Sequence, residues 1–392
     1  MKDYFQIFIS KPLNEILTIA ILAALFIAFS CAYLFLSPNF IPIPVKDSDS
    51  NAFPSIKRCN AFEGKWIADE SYPLYNASLC PFAESGFNCL ANGRRDSEFA
   101  KLRWKPNECD LPRFDSRINL KSLAGKRIVF VGDSLGRTQW ESLICTLMSS
   151  VDDKRSVYEI NGSQITKTIR FLGVHFSSFD LRIDFYRSVF LVKTGGAPKR
   201  APKRVKSAVV LDKIDDISKE WVDSDVLVFN TGHWWNANKL FESGCYFQQR
   251  GSLKLGMSVN AAFRAALGTW ASWVEGHVDT NRTRVFFRTF EGSHWNSGSR
   301  MTCKVSRWPM SGKGRGKSVF SEGIIGRVRR MKVPVGVLHV TPMGASRSDG
   351  HVGKWGDDPT KPDCSHWCLP GVPDAWNQLL FAYLFSGNLT IY

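Results

Sequence analysis

Four short apolar runs, at residues 128–131, 226–229, 285–287 and 335–340, stand out from the mixed texture around them. Runs of this length, β-branched and aromatic and without polar alternation, predict strands buried on both faces, as in parallel sheets. Between them, Trp140, Leu143, Ile144 and Leu147 share one helical face, and Ala266, Leu267, Trp270, Trp273 and Val274 share another. Strand and helix in alternation predict an α/β domain, three layers α/β/α around a mostly parallel sheet, over residues 116–392. Residues 57–115 are instead rich in Cys, Gly, Asn and Pro and hold no apolar run long enough for a buried strand. They read as a compact, disulfide-stapled module that would not be stable alone. Near the start, residues 16–36 form an uncharged apolar stretch long enough to cross a bilayer. The expected layout is a cytosolic tail (1–15), a transmembrane signal anchor (16–36) and a stem (37–56) rich in Pro and Ser. A signal peptide cut after Ser30 is the alternative.

Composition narrows the class. With 44% hydrophobic and 22% charged residues the chain is not disordered, and with one spanning stretch it is not a polytopic membrane protein. Its formal charge is +15, all of it beyond residue 45, because Lys2 and Lys11 offset Asp3 and Glu15. Cys31 sits in the apolar stretch; Cys59, Cys80, Cys89, Cys109, Cys145, Cys245, Cys303, Cys364 and Cys368 follow, the first four crowded between 59 and 109. That density points to disulfides in an oxidising compartment, and nine being odd, one thiol is left over. Asn76, Asn161, Asn281 and Asn388 head glycosylation sequons. Together these predict a single-pass type II protein whose large part is lumenal. Basic stretches at 193–206 and 313–317 read as exposed loops or as an attractor for an anionic polymer. A lumenal protein meets no nucleic acid, so acidic polysaccharide is the better candidate.

The chemistry begins where the run at 128–131 passes into Gly132-Asp133-Ser134 ahead of a helix. A serine there would expose its hydroxyl at the carboxyl edge of the sheet, with its own N–H at a helix N-terminus, suited to an oxyanion. The bland alternative is a helix cap following a tight turn. A serine nucleophile needs a base and the base a carboxylate. Asp363-Cys364-Ser365-His366 offers both from one turn, with cysteines at 364 and 368 to pin it. A zinc site on Cys364, His366 and Cys368 is the rival reading, and it lacks the remaining ligands. Gly132–Gly136 also matches GxSxG, but an α/β-hydrolase elbow needs strands before it and an acid far from its histidine. An early GDS with a late DxxH is the pattern of the SGNH, or GDSL, esterases.

The likeness then becomes specific. VGDSLGRTQWESLIC (131–145), FNTGHWW (229–235), SDGH (348–351) and DCSHWCLPGVPDAWNQLL (363–380), with CNAFEGKWIADESYPLY (59–75) and LRWKPNECDLPRF (102–114), resemble blocks of the plant trichome birefringence-like polysaccharide O-acetyltransferases. The resemblance implies Ser134 as nucleophile, His366 as base and Asp363 as its orienting acid. It implies a Golgi-lumen enzyme that moves acetyl from a donor co-substrate to a cell-wall polysaccharide, xylan foremost, with no bound metal or cofactor. Gly132, Asp133, Arg137, Asn230, Gly232, His233 and His351 are candidates for the oxyanion or substrate contacts. Thr138 replaces an Asn common in the family, and Gly232-His233-Trp234-Trp235 replaces the Gly-x-Asn-Asp of SGNH enzymes generally. Cys245 falls in a block that usually reads Gly-Gly-Tyr-Phe-Gln, which implies that it is the unpaired thiol and leaves Cys59, Cys80, Cys89, Cys109, Cys145, Cys303, Cys364 and Cys368 for disulfides. Trp234, Trp235, Trp295 and Trp367 are candidate sugar platforms. His175, His277, His294 and His339 read as structural or surface residues. A carbohydrate acetyl esterase with the same triad and a non-catalytic wall-polysaccharide-binding protein are the competing functions.

Overall fold

Ile128 and Phe130 enter one hydrophobic cluster while Val129 and Val131 enter another, on the opposite side of the same strand. A period of two between two covered faces produces that division. The computed structural model describes residues 60–296, 299–303, 309 and 318–385.

β1 (Gly64–Ala68) and β2 (Leu102–Pro106) pair antiparallel, and α1 (Ser116–Ser122) follows. β3 (Arg127–Gly132) runs into α2 (Ser134–Met148), after which come β4 (Val157–Glu159), β5 (Phe171–Phe176), β6 (Leu181–Arg187), β7 (Val192–Gly196) and β8 (Ser207–Ile214). β9 (Val226–Asn230), α3 (Ala237–Glu242), β10 (Cys245–Gln249) and β11 (Ser252–Lys254) lead to α4 (Val259–His277) and β12 (Arg284–Arg288). The chain continues through β13 (Trp295–Asn296), β14 (Ser299–Cys303), α5 (Val319–Val328), β15 (Gly336–Leu338) and α6 (Thr341–Ala345). It closes with β16 (His351–Gly353), β17 (Asp363–Trp367) and α7 (Val372–Phe385).

The main sheet has the order β15-β12-β9-β3-β6-β5-β4, parallel from β15 to β6 and antiparallel at its last two pairings. α2 and α7 cover one face, where Trp140, Leu143, Trp376 and Leu379 meet Ile128 and Phe130. α4 and α5 cover the other with Trp270, Val274 and Ile324. A second, mixed sheet, β11-β10-β8-β7, packs into that same cluster through Val209, Leu211 and Phe247. The fold is thus α/β with mixed sheets, and the sequence pattern missed the second sheet. The first four residues of the basic segment, expected to be a loop, lie in β7, with Lys193 paired to Asp216 at 2.6 Å.

Two features of residues 57–115 add to what their composition told. The segment does contain a strand pair, half-exposed, which is why no apolar run announces it; its buried Trp104 donates to Ala61 O at 2.8 Å. Its staples also run outward. Cys80 bonds Cys145 on α2 and Cys89 bonds Cys368 just after β17, so its disulfides fasten it to the α/β part. The described residues form one compact unit. Cys303 bonds Cys364, Cys109 is also disulfide-bonded, and Cys245 is a free, half-buried thiol. Cys59, the tail, anchor and stem, Asn388 and the basic run 313–317 lie outside the described residues. Among the described residues no helix is long and apolar enough to cross a membrane. Asn76, Asn161 and Asn281 are exposed.

Candidate active site

The turn from β3 to α2 is built around Asn230, the last residue of β9. A Cβ on Gly132 would lie 2.0 Å from Asn230 Oδ1, and one on Gly136 2.1 Å from it, so both glycines make room for that amide. Its Nδ2 donates to Asp133 Oδ1 at 2.6 Å, and the same oxygen caps α2 by accepting from Leu135 N at 3.0 Å. Asp133 is fully buried in this arrangement. Ser134 therefore starts α2 with a fixed backbone and a half-exposed side chain. Its N–H is one of the first-turn donors that have no acceptor within a helix.

Ser134 Oγ lies 2.7 Å from His366 Nε2, and His366 Nδ1 lies 2.6 Å from Asp363 Oδ2. The other carboxylate oxygen accepts from Ser365 N and His366 N, both at 2.9 Å. Burial pushes Asp363 up, but the bond to and charge of His366 and the two amide donors outweigh it and hold the carboxyl well below its usual range. Asp363 and His366 come from a strand, β17, paired irregularly with β16, rather than from the single turn expected. The zinc reading falls here, because Cys364 and Cys368 are both oxidised to disulfides and have no thiolate to offer.

Behind the base, His351 Nδ1 donates to His366 O at 2.9 Å and His351 Nε2 meets His294 Nδ1 at 2.7 Å. Burial and the neighbouring His294 push His351 down to about 3. A neutral His351 stacked on Trp367 at 4.0 Å supports the strand carrying His366; as 2% exposed, it does not line an open pocket. His294, expected to be structural or at the surface, is structural and belongs to this support. In front, Phe87 of the cysteine-rich segment stacks on the His366 ring at 5.5 Å, and Phe87 O accepts from Leu369 N at 2.8 Å.

Arg137 also moves out of the substrate-contact class. It is 3% exposed and bonds both Glu141 and Glu84, the latter from the cysteine-rich segment. Burial pushes Glu141 up to about 7, against the pull of Arg137. With both carboxylates on it, the guanidinium is engaged in joining that segment to α2. Thr138 Oγ1 turns back to Ser134 O at 2.9 Å. Gly232 lets Phe290 approach, since a Cβ would meet its ring at 2.3 Å. His233 is pushed down by burial and lies 4.7 Å from the Phe290 ring, with Nε2 4.0 Å from Glu291 Oε1. Trp235 and Trp367 are buried and cannot bear a sugar, whereas Trp234 and Trp295 are 36% and 37% exposed. Phe87 and Glu84 were missed because single residues far from the motifs leave no periodic or motif signal. The cysteines on either side of Phe87, at 80 and 89, were the one available hint.

A GDSL/SGNH-like acyl-esterase family found in Pmr5 and Cas1p matches residues 111–383, and the PMR5 N-terminal domain matches residues 57–110. Trichome birefringence-like protein 7 of Arabidopsis thaliana is 60% identical over 83% of this chain and 73% of its own length. The chain belongs to this family. Another member, trichome birefringence-like 9 from the same plant, is 40% identical over 87% of each chain. Trichome birefringence-like 4 shares 40% over 90% of this chain and 80% of its own. Membership of the trichome birefringence-like family accounts for the two parts of the described chain: the PMR5 N-terminal match carries Phe87 and Glu84, and the acyl-esterase match carries Ser134, Asp363 and His366.

Proposed function

We propose that the protein is an O-acetyltransferase that acetylates hydroxyls of a cell-wall polysaccharide through an acetyl-serine intermediate. The observation that carries this reading is the continuous Ser134–His366–Asp363 hydrogen-bond chain at the carboxyl edge of the sheet. His366 Nε2 takes the Ser134 proton as Oγ attacks the acetyl carbonyl, and passes it to the donor's leaving group. An acceptor hydroxyl then gives its proton to His366 and attacks the acetyl-serine, after which that proton returns to Ser134 Oγ. The Ser134 N–H, at the positive end of α2, supports the oxyanion in both halves. Family membership and the sequons and disulfide pattern favour a Golgi, type II, membrane-anchored setting, with xylan the first acceptor to try.

The test incubates purified protein lacking residues 1–56 with an acetyl donor and xylo-oligosaccharides, with products read by mass spectrometry. Wild type should add 42-dalton increments, and Ser134→Ala should lower the rate by about 10³-fold or more. Undiminished transfer by Ser134→Ala would remove the serine from the mechanism. Release of free acetate from acetylated polymer, with none passed to the oligosaccharide, would make the protein an esterase.

A further inference from the structure

One exposed aromatic, in the segment that follows β9, is flanked by two cations. Trp234 follows β9 by four residues, with the guanidinium of Arg187 and the ammonium of Lys239 each 5.5 Å from its ring centre. Arg187 ends β6 in direct register with Gly132, and Ser188 N donates to Gly132 O at 2.8 Å, so this cation lies one strand from the Ser134 turn. Lys239 stands on α3 and donates to His233 O at 3.2 Å, next to Trp234 in the chain. Among the described residues neither cation forms an ion pair with a carboxylate, although the neighbouring Arg170 is paired to Asp215. Two cations without counter-charge beside a half-open indole form a complementary surface for a ring that carries an anion.

We propose that Trp234, Arg187 and Lys239 form an acceptor subsite for a uronic-acid residue of the glycan. The apolar face of the sugar stacks on Trp234 and its carboxylate sits between the two cations, presenting neighbouring hydroxyls to the Ser134 edge. This rests on the reading of the protein as an enzyme acting on wall polysaccharide, and it specifies the class of acceptor.

Binding and transfer are measured separately. Ser134→Ala protein is titrated with a glucuronate-bearing xylo-oligosaccharide and with the unsubstituted one of equal length, by calorimetry, while transfer to both is followed with the wild type. The charged oligosaccharide should bind about tenfold more tightly, and its advantage should shrink as salt rises from 0.05 to 0.5 M. Arg187→Gln and Lys239→Gln should each cut that preference several-fold, the double variant should bring it close to one, and Trp234→Ala should weaken both ligands. A control removes two arginines elsewhere: Arg264 and Arg327 line a groove of about 280 Å³ between α4 and α5. If Arg264→Gln with Arg327→Gln erases the preference as fully as the double variant, the attraction is a field of the whole molecule and the subsite is overturned. Equal binding of both oligosaccharides by the starting protein also overturns it. Preferential binding without any transfer would uphold the subsite and refute the transferase reading; transfer without preference would do the reverse.

Discussion

At Ser134 the decisive neighbour is a buried amide, that of Asn230. Asn230 Oδ1 occupies the space that a Cβ on Gly132 or Gly136 would need, and its Nδ2 holds the carboxylate that caps α2. The letters GxSxG therefore arise from lodging an amide. Gly136→Ala should lower the melting temperature and reduce turnover by roughly 10- to 100-fold, since an ångström of misplacement is costly in a catalytic site. Adding Asn230→Ala should restore much of the melting temperature, as the clash is gone, but not the rate, because Asp133 has lost its donor. Wild-type turnover in the single variant would refute this account. Asp363→Asn tests the other end of the chain of bonds. It keeps the shape but loses the acceptor for His366 Nδ1–H, so turnover should fall by about 10³- to 10⁴-fold with modest change in KM; a loss under tenfold would reduce Asp363 to a structural role.

Elements explain how the cysteine-rich segment enters the site. The stretch between Cys80 and Cys89 is fixed at both ends, to α2 and to the residue after β17, and carries Phe87 against His366. The Cys89–Cys368 bond closes a separation of 279 residues, and losing a native disulfide typically costs about 2–5 kcal/mol. Cys89→Ser with Cys368→Ser should lower both the melting temperature and kcat, as Phe87 and the β17 strand loosen together. Phe87→Leu, which leaves the disulfide intact, should lower kcat and shift its pH profile while changing the melting temperature little; an unmoved pH profile would make Phe87 mere packing. The same scale shows what could be read from sequence. β3, β9 and β12 were legible because strands covered on both faces need uninterrupted apolar residues. β6 was not, for it buries Asp184 in its middle, paired to Arg127 and Arg182, and so reads as a charged segment. α7 was legible only as a motif, because Asp374, Asn377 and Gln378 are buried on it and bond partners up to hundreds of residues away, which erases the amphipathic signature. The Ser, His and Asp were legible because chemistry fixes their types and the motifs fix their places; Phe87 and Arg187 act through position alone.

For the whole molecule, the ion cluster of Arg137, Glu84 and Glu141 shows that folding joins its two family-matched parts into one body, and it gives stability a pH dependence. Burial raises Glu141 to about 7, and burial likewise raises Asp374 to about 6 despite bonds from Ser142 and Gly371. In the unfolded chain both would titrate near 4. The folded state thus binds these two protons more tightly than the unfolded one. Their contribution to stability is fully present below about pH 4 and is lost as pH rises through about 6 to 7. Asp363 works in the opposite sense: its depressed value contributes stability above the unfolded carboxylate range and loses it in stronger acid. These groups therefore place the stability maximum near pH 4, where the raised pair and Asp363 all contribute, with the melting temperature lower by roughly 2–5 °C at pH 8. Glu141→Gln removes one of the two titrations and keeps a carbonyl oxygen to accept from Arg137, so it should flatten the decline between about pH 4 and pH 7. Melting curves of both proteins across pH 4 to 8 decide the matter, and an identical decline in the variant would place its origin away from the cluster that joins the two parts.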